Sequence, residues 1–368
     1  MKKKDLNVKM KPARTLPNGP YIIYGAGNSG RDVLKILLER KQKVIAFIDK
    51  NADSIAEVEG IPCVKPIKVQ VCKLTNLTVI IALFNSQVNP FDIKSKLKEL
   101  GFTSIISYYS FYECYPEKVF WKYWLANRMI YTKKSADISF VRRILSDNKS
   151  RQIFAEIIRL RTNLEIETLR HPDLLDQYFP SDIPPPKEPV RFVDGGSYNG
   201  DSIKEVFQRG YYVEALACFE PDPINFSSLS KYIRKTLFEI REASLYPCGL
   251  GSVLRIQRFK SGNNAASTFC DHGESFIQTA PLDELIPNFR PTFIKLDVEG
   301  YEGASLKGAE KTIRKYRPTL AVCLYHKPLD IFELPKLIYS MTPNYNYYLR
   351  YHGFNGLEIV FYATPQDP

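Results

Sequence analysis

Two acidic residues in the second half of the chain follow apolar, strand-like runs and could hold one small ligand. Val190–Val193 runs into Asp194, and Ala215–Phe219 runs into Glu220, which lies 24 residues after Gly196. An acid at the end of a second strand typically accepts hydrogen bonds from a ribose diol. The glycines after Asp194 do not form the G-x-G-x-x-G of a pyrophosphate site, so a ligand with a cationic amino-acid tail fits better. This pattern predicts S-adenosylmethionine.

A second constellation follows two later apolar runs. The run 293–296 leads to Asp297 and Glu299, and the run 320–324 leads to Tyr325-His326-Lys327. A hydroxyl is a poor nucleophile at neutral pH, and its usual activator is a His with a carboxylate neighbour. We therefore predict His326 as the catalytic base. Three interpretations of Asp297 and Glu299 stay open: ligation of Mg²⁺, orientation of an acceptor hydroxyl, or capping of a helix that begins near Glu302.

A third motif lies near the N-terminus. A strand at 21–24 precedes Gly25-Ala26-Gly27-Asn28-Ser29-Gly30, an amphipathic run at 31–40 and a strand that ends in Asp49. G-x-G-x-x-G between a strand and a helix lets backbone N–H groups approach a phosphate, while the later acid accepts from a ribose. We predict a nucleotide-type site at Gly25, Gly27, Gly30 and Asp49. The alternative is a turn that only packs a helix against its sheet.

These motifs require strands and helices in alternation, which is the pattern of doubly wound α/β domains. Prolines are concentrated at 180–189 and mark a stiff boundary. We predict a basic tail at 1–16, a Rossmann-like domain at 17–116, a helical connector at 117–184 and a second Rossmann-like domain at 185–368.

The second domain resembles the FkbM family of methyltransferases. The resemblance rests on Phe192-Val193-Asp194-Gly195-Gly196, Phe219-Glu220-Pro221-Asp222-Pro223-Ile224-Asn225, Leu282-Asp283-Glu284-Leu285 and the segment from Phe293 to Glu302. It implies a seven-stranded methyltransferase sheet, S-adenosylmethionine as donor and a hydroxyl acceptor on a sugar, glycan precursor or polyketide. The implied donor site comprises Asp194, Gly195, Gly196, Asn199, Gly200 and Asp201 on the methionine side, and Glu220, Pro221, Asp222 and Asn225 on the ribose side.

The first domain resembles the nucleotide-binding N-terminal domains of proteins that modify sugars in bacterial glycan pathways. The resemblance rests on the segment from Tyr24 to Asp32 and on Phe47-Ile48-Asp49-Lys50-Asn51. It implies a nucleotide or nucleotide sugar as ligand.

The C-terminus alternates like a hairpin, with Tyr345–Tyr351 and Leu357–Tyr362 around His352 to Gly356. It predicts an antiparallel pair that completes the sheet. We expect Arg350, His352 and Lys295 to contact the acceptor, with a wall of tyrosines (345, 347, 348 and 351) for sugar stacking. The alternative is a solvated hairpin face.

Charge and hydropathy exclude other classes. Of the net charge of +11, residues 1–14 carry +5, which leaves no concentrated basic stripe for nucleic acid. No apolar run approaches the ~20 residues of a membrane span, and no secretory signal is present, so we expect a cytoplasmic protein. Two other functions stay open: an NAD-dependent oxidoreductase using the first domain, and a non-catalytic protein that binds nucleotide sugars.

Overall fold

A computed structural model of the protein describes residues 15–68, 74–115, 123–166, 169–236, 240–261, 268–269 and 273–366. Residues 1–14 of the predicted basic tail, and residues 117–122 and 167–168 of the predicted connector, lie outside the described part of the chain. Among the described residues, no helix is both long and apolar enough to cross a bilayer.

The chain forms two compact units, and each unit takes several separate segments. Unit 1 contains the described residues of 1–133, 156–172 and 353–357. Unit 2 contains those of 134–155, 173–352 and 358–368. The predicted connector is thus shared between the units. Its helices are α4 (Met129–Thr132), α5 (Ser135–Ile144) and α6 (Asn148–Asn163).

Unit 1 is built on six described strands, and one of its helices overlaps the amphipathic run at 31–40. The strands are β1 (Tyr21–Tyr24), β2 (Val44–Ile48), β3 (Glu57–Val58), β4 (Ile61–Val64), β5 (Thr78–Ile81) and β6 (Ile105–Ile106), in the order β3-β4-β2-β1-β5-β6. The helices are α1 (Asn28–Glu39), α2 (Pro90–Glu99) and α3 (Tyr108–Cys114). All described pairs are parallel except β3 with β4. Strands β2 to β4 lie on one side of β1, and β5 and β6 lie on the other. In open α/β sheets, ligands bind in the crevice at such a reversal of strand order.

Unit 2 contains the predicted seven-stranded sheet. Its strands are β7 (Val190–Gly195), β8 (Val213–Phe219), β9 (Glu242–Tyr246), β14 (Phe293–Leu296), β15 (Thr319–Cys323), β16 (Tyr345–Tyr351) and β17 (Ile359–Pro365), in the order β16-β17-β15-β14-β7-β8-β9. Strands β16 and β17 form the predicted antiparallel hairpin, and β17 also pairs antiparallel with β15. The other pairs in this sheet are parallel. Central strands β14 and β15 are buried along their whole length, because helices cover both faces of a parallel sheet.

Helices follow the strands of unit 2. They are α7 (Asp201–Gln208), α8 (Pro223–Thr236), α9 (Leu282–Leu285), α10 (Glu302–Gly308), α11 (Glu310–Tyr316) and α12 (Asp330–Met341). A second sheet was not predicted. It comprises β10 (Gly249–Leu250), β11 (Arg255–Lys260), β12 (Thr268–Phe269) and β13 (Ser275–Ala280), in the order β10-β13-β11-β12.

Candidate active site

The carboxyl ends of β7 and β14 lie in close backbone contact at Gly195 and Gly196. The amide of Asp297 donates to the carbonyl of Gly195 at 3.0 Å. Gly196 has a φ of +77°, and a Cβ there would lie 1.9 Å from the carbonyl oxygen of Asp297. Only glycine allows this approach. The segment predicted to hold the donor therefore lies directly against the segment that carries Asp297.

Asp194, predicted to face the ligand, is completely buried beneath this loop. One carboxylate oxygen lies 3.0 Å from the Nζ of Lys295, and the other accepts from the hydroxyl of Ser202 at 2.7 Å. The same Nζ donates to the carbonyl of Gly196 at 2.6 Å. A buried charge is tolerated only when it is paired and hydrogen-bonded. Asp194 and Lys295 thus neutralise each other and fix the loop after β7. Lys295, which we predicted to contact the acceptor, is buried in this pair.

Glu220 is placed where the sequence predicted an acid for a ribose. Its carboxylate accepts from the amide of Tyr198 at 2.8 Å and from that of Asp222 at 2.9 Å. The side chain of Asn225 also hydrogen-bonds to this carboxylate. A carboxylate has about four acceptor positions, so one remains for a ligand. Burial raises the pKa of Glu220 to about 7. The bond from Tyr198 joins the loop after β7 to the acid after β8.

The other predicted donor residues have separate roles. Asp222 is buried and caps α8, since its Oδ1 accepts from the amides of Ile224 at 2.9 Å and Asn225 at 3.2 Å. Asn199 and Asp201 are exposed at the start of α7. Gly200 and Gly195 are buried, while Gly196, Pro221 and Asn225 are partly exposed.

His326 lies within a group of carboxylates at the ends of β14 and β15. Its Nε2 is 3.3 Å from the Oδ1 of Asp297 and 3.6 Å from the Oε2 of Glu299. Its Nδ1 is 2.8 Å from the Oε1 of Glu302. Burial opposes a charged ring, but Glu302 and Glu299 outweigh it and raise the pKa of His326 well above its usual value. The sequence thus predicted three members of this group, His326, Asp297 and Glu299.

Two further members were not predicted. Glu302, fully buried in the first turn of α10, also accepts from the amides of Val298 at 3.0 Å and Gly300 at 3.3 Å. It is therefore Glu302, and not Asp297 or Glu299, that holds the turn before α10. Tyr178 donates its hydroxyl to the Oδ2 of Asp297 at 2.7 Å. The three-residue spacing of Glu299 and Glu302 at the start of a helix could have indicated that Glu302 belongs to the group. Tyr178 lies 119 residues from Asp297, and nothing in the sequence indicated their contact.

Asp297, Glu302 and His326 each offer one atom within 4.8 Å of the others, a spacing that suits a cation. However, the Oε1 of Glu302 already accepts three hydrogen bonds, and the imidazole lies between the two carboxylates predicted to ligate Mg²⁺. Mg²⁺ prefers an octahedron of oxygens. We therefore assign the positive charge of this group to the imidazole.

The residues predicted to form an acceptor rim on β16 are buried instead. Arg350 binds Asp182 at 3.0 Å and Asp147 at 2.7 Å. The ring nitrogens of His352 lie 2.8 Å from the carbonyl of Asp173 and 2.8 Å from the hydroxyl of Tyr362. The predicted tyrosine wall is wrong for residues 345, 347 and 351, which are buried. Residues 134–155 and 173–182 cover the hairpin, and this covering was not predicted.

In unit 1 the glycine motif connects β1 to α1 as predicted. Gly25 has a φ of +106°, and a Cβ on Gly30 would lie 1.9 Å from the carbonyl oxygen of Gly25, so the fold itself requires both. A Cβ on Gly27 would meet nothing within 4 Å. Asp49 accepts from the amides of Ala26 and Asn51, each at 2.8 Å. Asp49 thus holds the glycine turn, and packing does not explain Gly27.

Comparison with known proteins finds a family match for the larger part of unit 2. Residues 194–355 match the family model described as the methyltransferase FkbM domain. A crystal structure of methyltransferase FkbM from Methylobacillus flagellatus KT shares the fold, with a TM-score of 0.76 at 21% sequence identity, over 93% of this chain and 89% of that chain. No curated protein sequence matches significantly. Residues 194–355 are therefore similar to the methyltransferase domain of the FkbM family, as the four motifs indicated.

Proposed function

We propose that the protein is an S-adenosylmethionine-dependent O-methyltransferase that acts on a hydroxyl of a sugar or glycan precursor. The observation that carries this proposal is the contact between Gly196 and Asp297. It brings the loop suited to the donor beside the group around His326, so a methyl group and a hydroxyl-activating group would meet at one sheet edge. Ligands of open α/β folds bind at this edge.

The donor side is formed by the loop after β7 and the acid after β8. Glu220 would accept from the ribose diol, because its carboxylate keeps an acceptor position beyond the two amides and the side chain of Asn225. Asp194 is already neutralised by Lys295, so the exposed Asp201 is the better partner for the amino group of the methionine tail. S-adenosylmethionine supplies a methyl group on a positively charged sulfur.

The acceptor side is formed by His326, Asp297 and Glu299. His326 in its neutral form takes the proton of the acceptor hydroxyl as the oxygen–carbon bond forms and the carbon–sulfur bond breaks. Asp297, held by Tyr178, and Glu299 flank the Nε2 of His326 and would orient the hydroxyl toward it. A general base of this kind contributes ~10²–10⁴-fold to the rate.

The test is transfer of an isotope-labelled methyl group to a panel of sugars, nucleotide sugars and non-sugar alcohols, with calorimetry of S-adenosylhomocysteine binding. The proposal expects donor binding and labelled product from a sugar hydroxyl. Label on nitrogen or carbon would overturn O-methylation, and absence of donor binding would favour a non-catalytic protein. Turnover in EDTA separates His326 from the alternative of Mg²⁺ at Asp297 and Glu299, since only the metal route needs the ion.

For unit 1 we propose a nucleotide or nucleotide sugar as ligand. Gly27 supports this, because a Cβ there would meet nothing within 4 Å and no side chain caps the start of α1, where a phosphate could bind. A thermal-shift panel of NAD, nucleotides and nucleotide sugars on the wild type and on Gly27→Val tests it. The shift should disappear in the variant, and a retained shift would place the ligand elsewhere. A preference for NAD with hydride transfer would favour the oxidoreductase.

A further inference from the structure

Glu302 holds the imidazole of His326 from the side opposite to the proposed acceptor. The Oε1 of Glu302 can only accept, so the Nδ1 of His326 carries a hydrogen and donates it over 2.8 Å. This bond fixes the ring so that Nε2 faces Asp297 and Glu299. In catalytic and metal-binding sites alike, a carboxylate behind a histidine sets which ring nitrogen is available.

The environment of Glu302 keeps this carboxylate in place. Its side chain is 1% exposed, and its Oε2 has no hydrogen-bond partner among the residues that the structure describes. Two amides of the turn before α10 fix the other oxygen. A buried carboxylate interacts strongly with a neighbouring cation, because the local dielectric is low. The ionisable and charged groups near the imidazole are Asp297, Glu299, Glu302, Tyr325, Lys327 and Asp330.

We propose that Glu302 is a positioning residue for methyl transfer, which orients the imidazole of His326 toward the acceptor and stabilises the imidazolium formed when Nε2 takes the hydroxyl proton. The inference rests on the proposed function, in which His326 is the base. Glu302 does not reach the reacting atoms and acts only through the ring.

A purely structural role is the alternative, because Glu302 also binds the turn at Val298 and Gly300. Glu302→Gln separates the two roles. The amide oxygen of glutamine can still accept from the backbone amides of Val298 and Gly300, whereas the negative charge of the Glu302 carboxylate is lost. Glu310→Gln is the matched control, since Glu310 also begins a helix but is exposed and pairs with Arg314.

The experiment measures kcat, KM for both substrates and the pH profile of full-length protein carrying Glu302→Gln, His326→Ala, both changes or Glu310→Gln. We expect Glu302→Gln to lower kcat by roughly 10–10³-fold, to change KM for the donor less than about twofold, and to move the limb on which turnover rises with pH to lower pH. On the His326→Ala background, Glu302→Gln should cause no further loss, since residues that act as one unit are not additive. Glu310→Gln should behave as wild type.

Losses that multiply in the double variant, or an unmoved pH profile, would overturn the positioning role and leave Glu302 as a cap. If His326→Ala is as fast as wild type, the proposed base itself fails, which is a different outcome. Should Glu302→Gln not fold, ¹⁵N spectra of wild-type His326 decide the matter. The proposal requires a protonated Nδ1 throughout the titration, and a ring protonated only on Nε2 would contradict it.

Discussion

Three carboxylates surround the imidazole of His326 and stabilise its protonated form. A base must lose this proton before it can act. The raised pKa means that the reactive neutral ring becomes common only above pH 6.5. We expect turnover to rise with pH above this value. His326→Ala should slow turnover by ~10²–10⁴-fold without abolishing it, because positioning of the acceptor alone supplies much of the rate.

Rate against pH for wild type and His326→Ala checks this expectation. The limb should vanish in the variant, while its affinity for S-adenosylhomocysteine stays near that of wild type. If Asp297→Asn abolishes turnover and His326→Ala changes neither rate nor profile, then Asp297 or a metal-bound hydroxide is the base.

Glu220 makes the affinity for the donor depend on pH. Its pKa of about 7 means that its charged, accepting form is lost below neutrality. Binding of S-adenosylhomocysteine should therefore weaken between pH 8 and pH 6. Glu220→Ala should weaken it by roughly 1.5–3 kcal/mol and remove this dependence. Calorimetry at several pH values measures both effects, and unchanged affinity in the variant would refute the ribose assignment.

Among the elements, the ends of β7 and β14 approach each other closely only because residue 196 has no side chain. Gly196→Ala adds a strained φ and a clash with the backbone of Asp297. Gly210 has a nearly equal φ of +78° and open space, so Gly210→Ala adds the strain alone. Urea unfolding should show about 1 kcal/mol lost for Gly210→Ala and at least about 2 kcal/mol more for Gly196→Ala. Equal losses would mean that the sheet edge relaxes around a methyl group.

Most strands of the two larger sheets were predictable because each is a short apolar run next to a glycine turn or an acid, whereas β3, β4 and β9 were not predicted. β1 and β14 were predicted with their bounds, and β15 and β17 within a few residues. The sheet of β10 to β13 was not predicted, since exposed positions such as Leu254, Ile256 and Phe276 obscure its alternation. The sequence also placed Arg350 and His352 at a rim, because periodicity within one hairpin cannot show which distant segments will cover it.

At the scale of the whole molecule, His352 ties together segments that are far apart in sequence. Burial lowers its pKa to about 4, so the folded state binds a proton less readily than the unfolded chain. Stability is therefore fully present above pH 6.5 and falls as the pH drops toward 4, by up to about 3 kcal/mol. In urea titrations at pH 7 and pH 4.5, His352→Gln should lose less stability on acidification than wild type. An equal acid loss in both proteins would assign it to other groups.

The two compact units are each assembled from three stretches of the chain, and the polypeptide changes unit near residues 133, 155, 172, 352 and 357. The two units are therefore not consecutive segments of the sequence. One protease cut near residue 133 would leave both units still sharing continuous polypeptide downstream. A chimera that exchanges unit 1 for that of a relative would have to carry three inserts at once, including the five-residue piece 353–357. Recombination by a single crossover would instead give a protein in which at least one unit combines segments from both parents. The two units therefore cannot be exchanged independently by one crossover.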